Sequence, residues 1–345
     1  MKIGLIGNPN VGKSTIFNAL TGMHQHTGNW PGKTVERASG NREYKGINYE
    51  IEDLPGTYSL MSHSKEEEVT RDYVYFGKYD ALIVVCDGCA LERNLNLVLQ
   101  ILEITSKVVV CVNLMDEVSR KKIDIDLLNL KKILKVPVVP CSIKDKKSIF
   151  KLLDALNFKF NNKPLKIDYD FLNEELEKYE FLKSYKIPYQ IIGQRVLARD
   201  KTILKYISKD RDKTQKVTDE IISKLQKKGL KTDDIECIIS ESISFKSEEI
   251  CKKVIHYNNK NYDKKDRIID RIVTSKISGS LIMILLLTVI LWITISGANY
   301  PSSLLYNFFF SFEKHLINIL TFFHLPNIVI NALVYGVYRV LAWVI

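Results

Sequence analysis

Between Ile277 and Phe312 the sequence has no charged residue, and after that only Glu313, Lys314 and Arg339 carry charge. A buried helix of a soluble protein is rarely apolar all round for so long, which argues against a core helix at Ile277–Gly297. As a helix this stretch would reach about 31 Å, the hydrocarbon thickness of a bilayer. Strand signal is nearly absent from residues 160–275, which leaves no second sheet to expect there. Cys86 and Cys89 form a C-x-x-C, but no second pair and no histidine cluster joins them, so a zinc site is not built. Internal repeats and low-complexity tracts are also missing. The net charge of +10 comes with basic and acidic residues interleaved. That pattern fits a solvated surface and membrane-side anchoring, and no nucleic acid is expected.

What is present is divided. The chain has 345 residues, 26% charged and 46% apolar, enough for two domains with a core. Residues 1–158 alternate strand and helix, with apolar runs at Lys2–Ile6, Asn48–Leu54, Ala81–Cys86, Lys107–Val112 and Val136–Pro140. This predicts an α/β domain with a mostly parallel sheet, and the turn Tyr44-Lys45-Gly46-Ile47 predicts one antiparallel edge pair. Residues 159–275, with NEELEKYEFLKSY and KVTDEIISKLQKK, predict a small all-α domain entered at Lys163-Pro164. Residues 276–345 predict a span at about 277–297, a turn at ANYPSS, a surface or membrane segment at about 304–323 and the start of another span at about 327–345. The chain is therefore expected to be the first part of a larger multi-pass protein in the lipid bilayer of a cell membrane. Lys264, Lys265, Arg267, Arg271 and Lys276 flank the first span and place residues 1–275 in the cytoplasm. The cysteines are then expected reduced. Met1 leads straight into KIGLI, so no signal peptide is expected.

Gly7-Asn8-Pro9-Asn10-Val11-Gly12-Lys13-Ser14 fits G-x-x-x-x-G-K-[ST] between a predicted strand and a helix that continues through Thr15. Glycines at these places let backbone N–H groups wrap phosphates, and the helix N-terminus adds its positive dipole end. Lys13 would reach the β- and γ-phosphates, and Ser14 would bind Mg²⁺. Asp53-Leu54-Pro55-Gly56 ends the next strand, where Asp53 can hold Mg²⁺ through water and the Gly56 N–H can sense the γ-phosphate. Asn113-Leu114-Met115-Asp116 ends another. Asp116 can accept two hydrogen bonds from guanine, which selects GTP over ATP. Ser142, with Ile143 and Lys144, stands where main-chain N–H groups could back the base.

In this order the motifs define a GTPase domain and make TGNWPGKT (residues 27–34) its switch loop. Gly32, Lys33 and Thr34 then join the GTP site, with Thr34 completing the Mg²⁺ shell. The plain alternative for Thr34 is a β-branched residue starting a strand at Val35–Tyr44. Lys13, Thr34 and Gly56 are the catalytic candidates. Trp30 reads as an apolar latch, buried in one switch state and more exposed in the other.

GNPNVGKSTIFNALTG, GNWPGKTVE, DLPGTYSL, LERNLNLVLQ and NLMDE together resemble the ferrous iron transport protein B (FeoB) family, as do ITISGANYPS and LVYGVYRVLAWVI in the apolar part. The resemblance implies a G domain, a helical domain that restrains nucleotide release, and a polytopic membrane domain that moves Fe²⁺. It also implies a homo-oligomer and a small accessory protein of the same transport system. Asn10 is either a turn residue or, as the resemblance implies, a ligand of an activating K⁺. Leu114 stands where the family's guanine motif has lysine, so weak, fast-exchanging nucleotide is expected. Thr57 stands where many GTPases have glutamine, so slow hydrolysis is expected. Lys33 replaces a small apolar residue. His24, His26, His315 and His324 read as surface or interfacial histidines rather than metal ligands. The competing reading is a membrane-tethered GTPase acting on RNA or ribosomes, and the blandest is a nucleotide-binding scaffold without turnover.

Overall fold

In the computed structural model the alternating apolar runs become strands β1 (Lys2–Gly7), β2 (Gln25–Asn29), β3 (Glu36–Tyr44), β4 (Ile47–Asp53), β5 (Ala81–Asp87), β6 (Val108–Asn113), β7 (Ile123–Ile125) and β8 (Val138–Pro140). The structure describes residues 1–22, 25–30, 36–61, 64–142, 145–160, 163–227, 229–230, 232–257, 272–273, 275 and 278–344. All these strands but β7 form one sheet in the order β2-β3-β4-β1-β5-β6-β8. Pairing is parallel from β4 through β8, whereas β3 runs antiparallel to β4 around Lys45-Gly46, and β2 antiparallel to β3. Every residue of β6 and all but the last of β5 are buried, as expected where helices cover both faces of a parallel sheet.

Strand alternation divides the core. Ile83 and Val85 of β5 face one layer with Phe17 of helix α1 (Lys13–Thr21) and Leu152 of a helix at Lys146–Ala155. Leu82 and Val84 face the other, with helices α2 (Lys65–Phe76) and α3 (Leu91–Leu102).

The second layer extends into the helical segment. Ile235, Ile239, Ile243 and Ile250 of the helix Thr232–Val254 share a core with Leu91, Leu95 and Val98 of α3. Spacings of four and seven put these isoleucines on one helix face. The same helix runs into a short strand, β9 (Ile255–Tyr257), antiparallel to β7. Residues 1–259 form one compact unit. The helical part is not wholly α-helical, because its end returns to the first part as β9. Arg71 of α2 adds a polar link: it reaches Asp200 at 3.4 Å and the Thr202 hydroxyl at 2.9 Å while only 6% exposed.

Residues 260–345 form the other unit. One helix here, Ser278–Gly297, is long and apolar enough to cross a membrane. The turn expected at ANYPSS is helical instead, so that Ser278–Phe322 is continuous and the segment expected at 304–323 is its second half. Pro301 costs one backbone hydrogen bond, which apolar helix-forming neighbours on both sides outweigh. Asn327–Asn331 and Arg339–Val344 flank a π-helix, Ala332–Tyr338. Arg339 pairs with both carboxylate oxygens of Glu313 (2.6 and 3.2 Å), so two of the three charges of the apolar stretch neutralise each other.

Candidate nucleotide-binding site

The four motifs meet at the carboxyl ends of β1, β4, β6 and β8, where open α/β sheets bind ligands. Residues 7–13 turn from β1 into α1 through two left-handed positions, Asn10 (φ 65°) and Gly12 (φ 81°). Gly12 has to be glycine for a second reason. A Cβ there would lie 2.5 Å from the Asn113 side-chain nitrogen. Asn113 is fully buried and donates from Nδ2 to the Val11 carbonyl at 2.9 Å, tying the guanine motif to the phosphate loop. Pro9, Asn10, Ser14 and Thr15 stand exposed at the mouth.

The Lys13 ammonium is held by the Asp53 carboxylate. Burial pushes that carboxyl above its usual range, against the opposing pull of Lys13. Leu54 donates its N–H to Leu5, and Thr57 donates its N–H to the Gly7 carbonyl at 3.2 Å, so Asp53–Thr57 runs alongside the phosphate loop. Gly56 packs on Pro9, where a Cβ would come within 3.3 Å. Thr57 is fully buried, and its hydroxyl donates to Ser59 O at 2.7 Å. It faces the protein rather than the mouth.

Leu114 takes a left-handed conformation (φ 60°), and Met115 donates its N–H to Cys141 O. Ser142 Oγ donates to Asp116 Oδ1 at 3.2 Å, which brings the last two motifs into contact. Ser148 was missed by the sequence reading. It is buried, and its hydroxyl lies 2.6 Å from Asp145 O and 3.2 Å from Ser142 O, bracing the loop under Ser142. A lone serine in a lysine-rich helix start gives no signal of that role. Gly32, Lys33, Thr34, Ile143, Lys144 and His24 lie outside the described residues. Trp30 does not: it is half-buried, edge-on to Tyr73 of α2, with ring centroids 5.7 Å apart.

The residues present fit a guanine nucleotide. Asn8 is 3% exposed, and among the described residues both its amide atoms lack hydrogen-bond partners, as does Asn113 Oδ1. Buried polar atoms of this kind are costly unless something completes them. Lys13 has a carboxylate where a phosphate oxygen would bind, and the Ser14 hydroxyl and Asp53 are oxygen donors suited to Mg²⁺.

Residues 1–156 match the family model described as ferrous iron transport protein B. The Fe(2+) transporter FeoB of Methanocaldococcus jannaschii is 34% identical over 327 residues, covering 92% of this chain and 48% of that protein. The cytosolic domain of the T. maritima FeoB iron transporter in its GMPPNP form superposes with a TM-score of 0.65 at 30% identity, covering 74% of this chain and 99% of that one. Its GDP form II gives 0.64 with the same coverage. The chain spans about half the length of the M. jannaschii relative and about a quarter (27%) of the Campylobacter jejuni one.

Proposed function

The chain belongs to the ferrous iron transport protein B family, and from that premise we propose that residues 1–259 bind and hydrolyse GTP to control Fe²⁺ passage through the membrane part of the same protein. The observation that carries the nucleotide reading is the Lys13–Asp53 pair beneath a glycine-pinned phosphate loop. Lys13 would exchange the carboxylate for β- and γ-phosphate oxygens, with the backbone N–H groups of residues 10–15 around them. Asp53, released from Lys13, would turn with Ser14 and Thr34 to Mg²⁺, which neutralises charge between the phosphates. Asp116, oriented by Ser142, would accept from guanine. Asn10, exposed at the mouth, is the residue this reading assigns to K⁺.

Slow turnover follows from Thr57, whose hydroxyl is engaged with Ser59 and has no free geometry to orient water. Arg71 supplies the route to the helical part: α2 is the next helix in the chain after Gly56, and Arg71 in its middle contacts Asp200. A change at the γ-phosphate would therefore be felt at the helices that this reading makes a brake on nucleotide release.

Phosphate release by residues 1–259, followed in KCl and in NaCl, tests the enzyme. GTP hydrolysis that is faster in K⁺ and falls about a hundredfold or more in Lys13→Ala is expected. Absence of turnover in both salts would leave only a nucleotide-binding scaffold. For transport, Asp116→Asn in the complete gene should abolish iron uptake by cells. Undiminished uptake would separate the G domain from the flux.

A further inference from the structure

The parallel strands begin at the end of the sheet away from the phosphate loop, and a second cleft of about 1030 Å³ opens there. Its walls come from the segments just before β5 and β6 and from the helical part of the same compact unit. None of the nucleotide motifs reaches it.

The floor of this cleft is polar and buried. Glu103 accepts a hydrogen bond from the Tyr169 hydroxyl at 2.7 Å, and burial raises its carboxyl to about 7. Gln194 is 2% exposed, and its side-chain amide stands next to the Tyr169 hydroxyl. The rim carries exposed Lys78, Lys107, Lys166 and Lys186, none of which makes an ion pair among the described residues. Two carboxylates also line the cleft and are tied to neutral donors rather than to these lysines: Glu177 accepts from the Tyr189 hydroxyl at 2.6 Å, and Asp168 from the Asp170 N–H at 3.0 Å. Lys186 lies over the Tyr79 ring and donates to the Gly77 carbonyl at 3.1 Å. Partial burial, then the nearby Lys107 charge, lower its pKa. Lysines that outnumber the carboxylates lining the same cleft, gathered over a buried hydrogen-bonding floor, describe a receptor for an anion attached to a polar body.

We propose that this cleft binds a small phosphorylated molecule, its phosphate held by Lys107 and Lys186 and its polar body seated on Tyr169 and Gln194. The site has a built-in connection to the nucleotide loops. Gly77 caps α2, the helix that begins after Asp53–Gly56, and its carbonyl is the group from which a bound anion would draw Lys186. Occupancy would alter the far end of that helix, and so the rate at which nucleotide leaves.

Residues 1–259 suit the test, because cytosolic domains of this extent form crystals alone in T. maritima. Calorimetry in a Lys13→Ala background, which removes the phosphate loop's main cation, would use pyrophosphate and AMP as probes. Saturable binding is expected, about tenfold or more weaker in the Lys107→Glu, Lys186→Glu double variant, and retained when both are arginine. Gln194→Leu should weaken AMP and leave pyrophosphate unchanged. The proposal is overturned if neither probe saturates at millimolar concentration, or if charge reversal leaves affinity unchanged. Binding confined to phosphatidylglycerol vesicles would also overturn it, since the lysines would then serve a lipid surface. The inference does not depend on GTP hydrolysis: a chain that binds AMP here but never releases phosphate would sink the enzyme reading alone.

Discussion

The nucleotide loops and the helical segment of residues 1–259 share one compact unit, yet they are specified in different ways. At the loops each functional residue sits at a strand end, and single atoms decide: Gly12 leaves room for Asn113 Nδ2, and Asn113 holds Val11 O. In the helical segment, position is set by a repeated apolar face, the isoleucines of Thr232–Val254 lying along α3. The loops are therefore sensitive to chemistry and the helices to volume. Substitutions at the loops should affect ligand binding with little change in folding, and those in the helices should do the reverse.

The sharpest way to break that division is Ile239→Ala. It removes a fully buried side chain from the shared core and should cost about 2–5 kcal/mol in chemical denaturation. Nucleotide affinity should be unchanged. A loss of both would mean that the helices set the loop geometry directly.

Glu103 sharpens the comparison from the interface. Its folded-state pKa, about 7, lies above the ordinary carboxyl value, so the folded state keeps a proton that the unfolded chain releases. Stability is full below about pH 4.5 and falls as pH rises to about 7, by roughly 3 kcal/mol. In Glu103→Gln the fall across this window should vanish, which denaturation midpoints at pH 5 and pH 8 would reveal. If the two proteins keep the same pH slope, the carboxyl is not the group that links this interface to protons.

The smallest effect concerns Trp30. Its contact with Tyr73 gives the latch a docking surface on α2, worth about 1 kcal/mol beyond burial. With Trp292 and Trp343 replaced by phenylalanine, Trp30 emission should differ between GDP and a GTP analogue. Identical spectra without nucleotide and with either one would remove the latch.

How much of this was legible depended on whether the signal was local. The placement of Lys13, Asp53 and Asp116 near strand ends was readable because each lies in a short run that begins at the end of a strand. The antiparallel edge was visible from Lys45-Gly46. The pairing of β7 with β9 was not, since IDI and IHY are three-residue strands, too short to show a period. The packing of the helix Thr232–Val254 against α3 was equally hidden, because an amphipathic helix does not say which surface its face will meet. The continuous helix through Pro301 contradicts a turn-rich sequence, ANYPSS, whose neighbours on both sides favour helix. The cleft opposite the nucleotide loops had no sequence signature. Its lysines are spread from residue 78 to residue 186 and meet only in the fold.

The bond from Asn113 to Val11 has an evolutionary cost. Because the residue that opens the base-reading motif also fixes the phosphate loop, a change there cannot shift base preference alone; it loosens the grip on every nucleotide at once. Asp116 is tied to the loop around Ser142 by the bond described above and holds no part of the phosphate loop in that bond. A change of base preference is therefore expected from substitutions at positions 114 and 116, whereas one at 113 should loosen the phosphate loop beneath it.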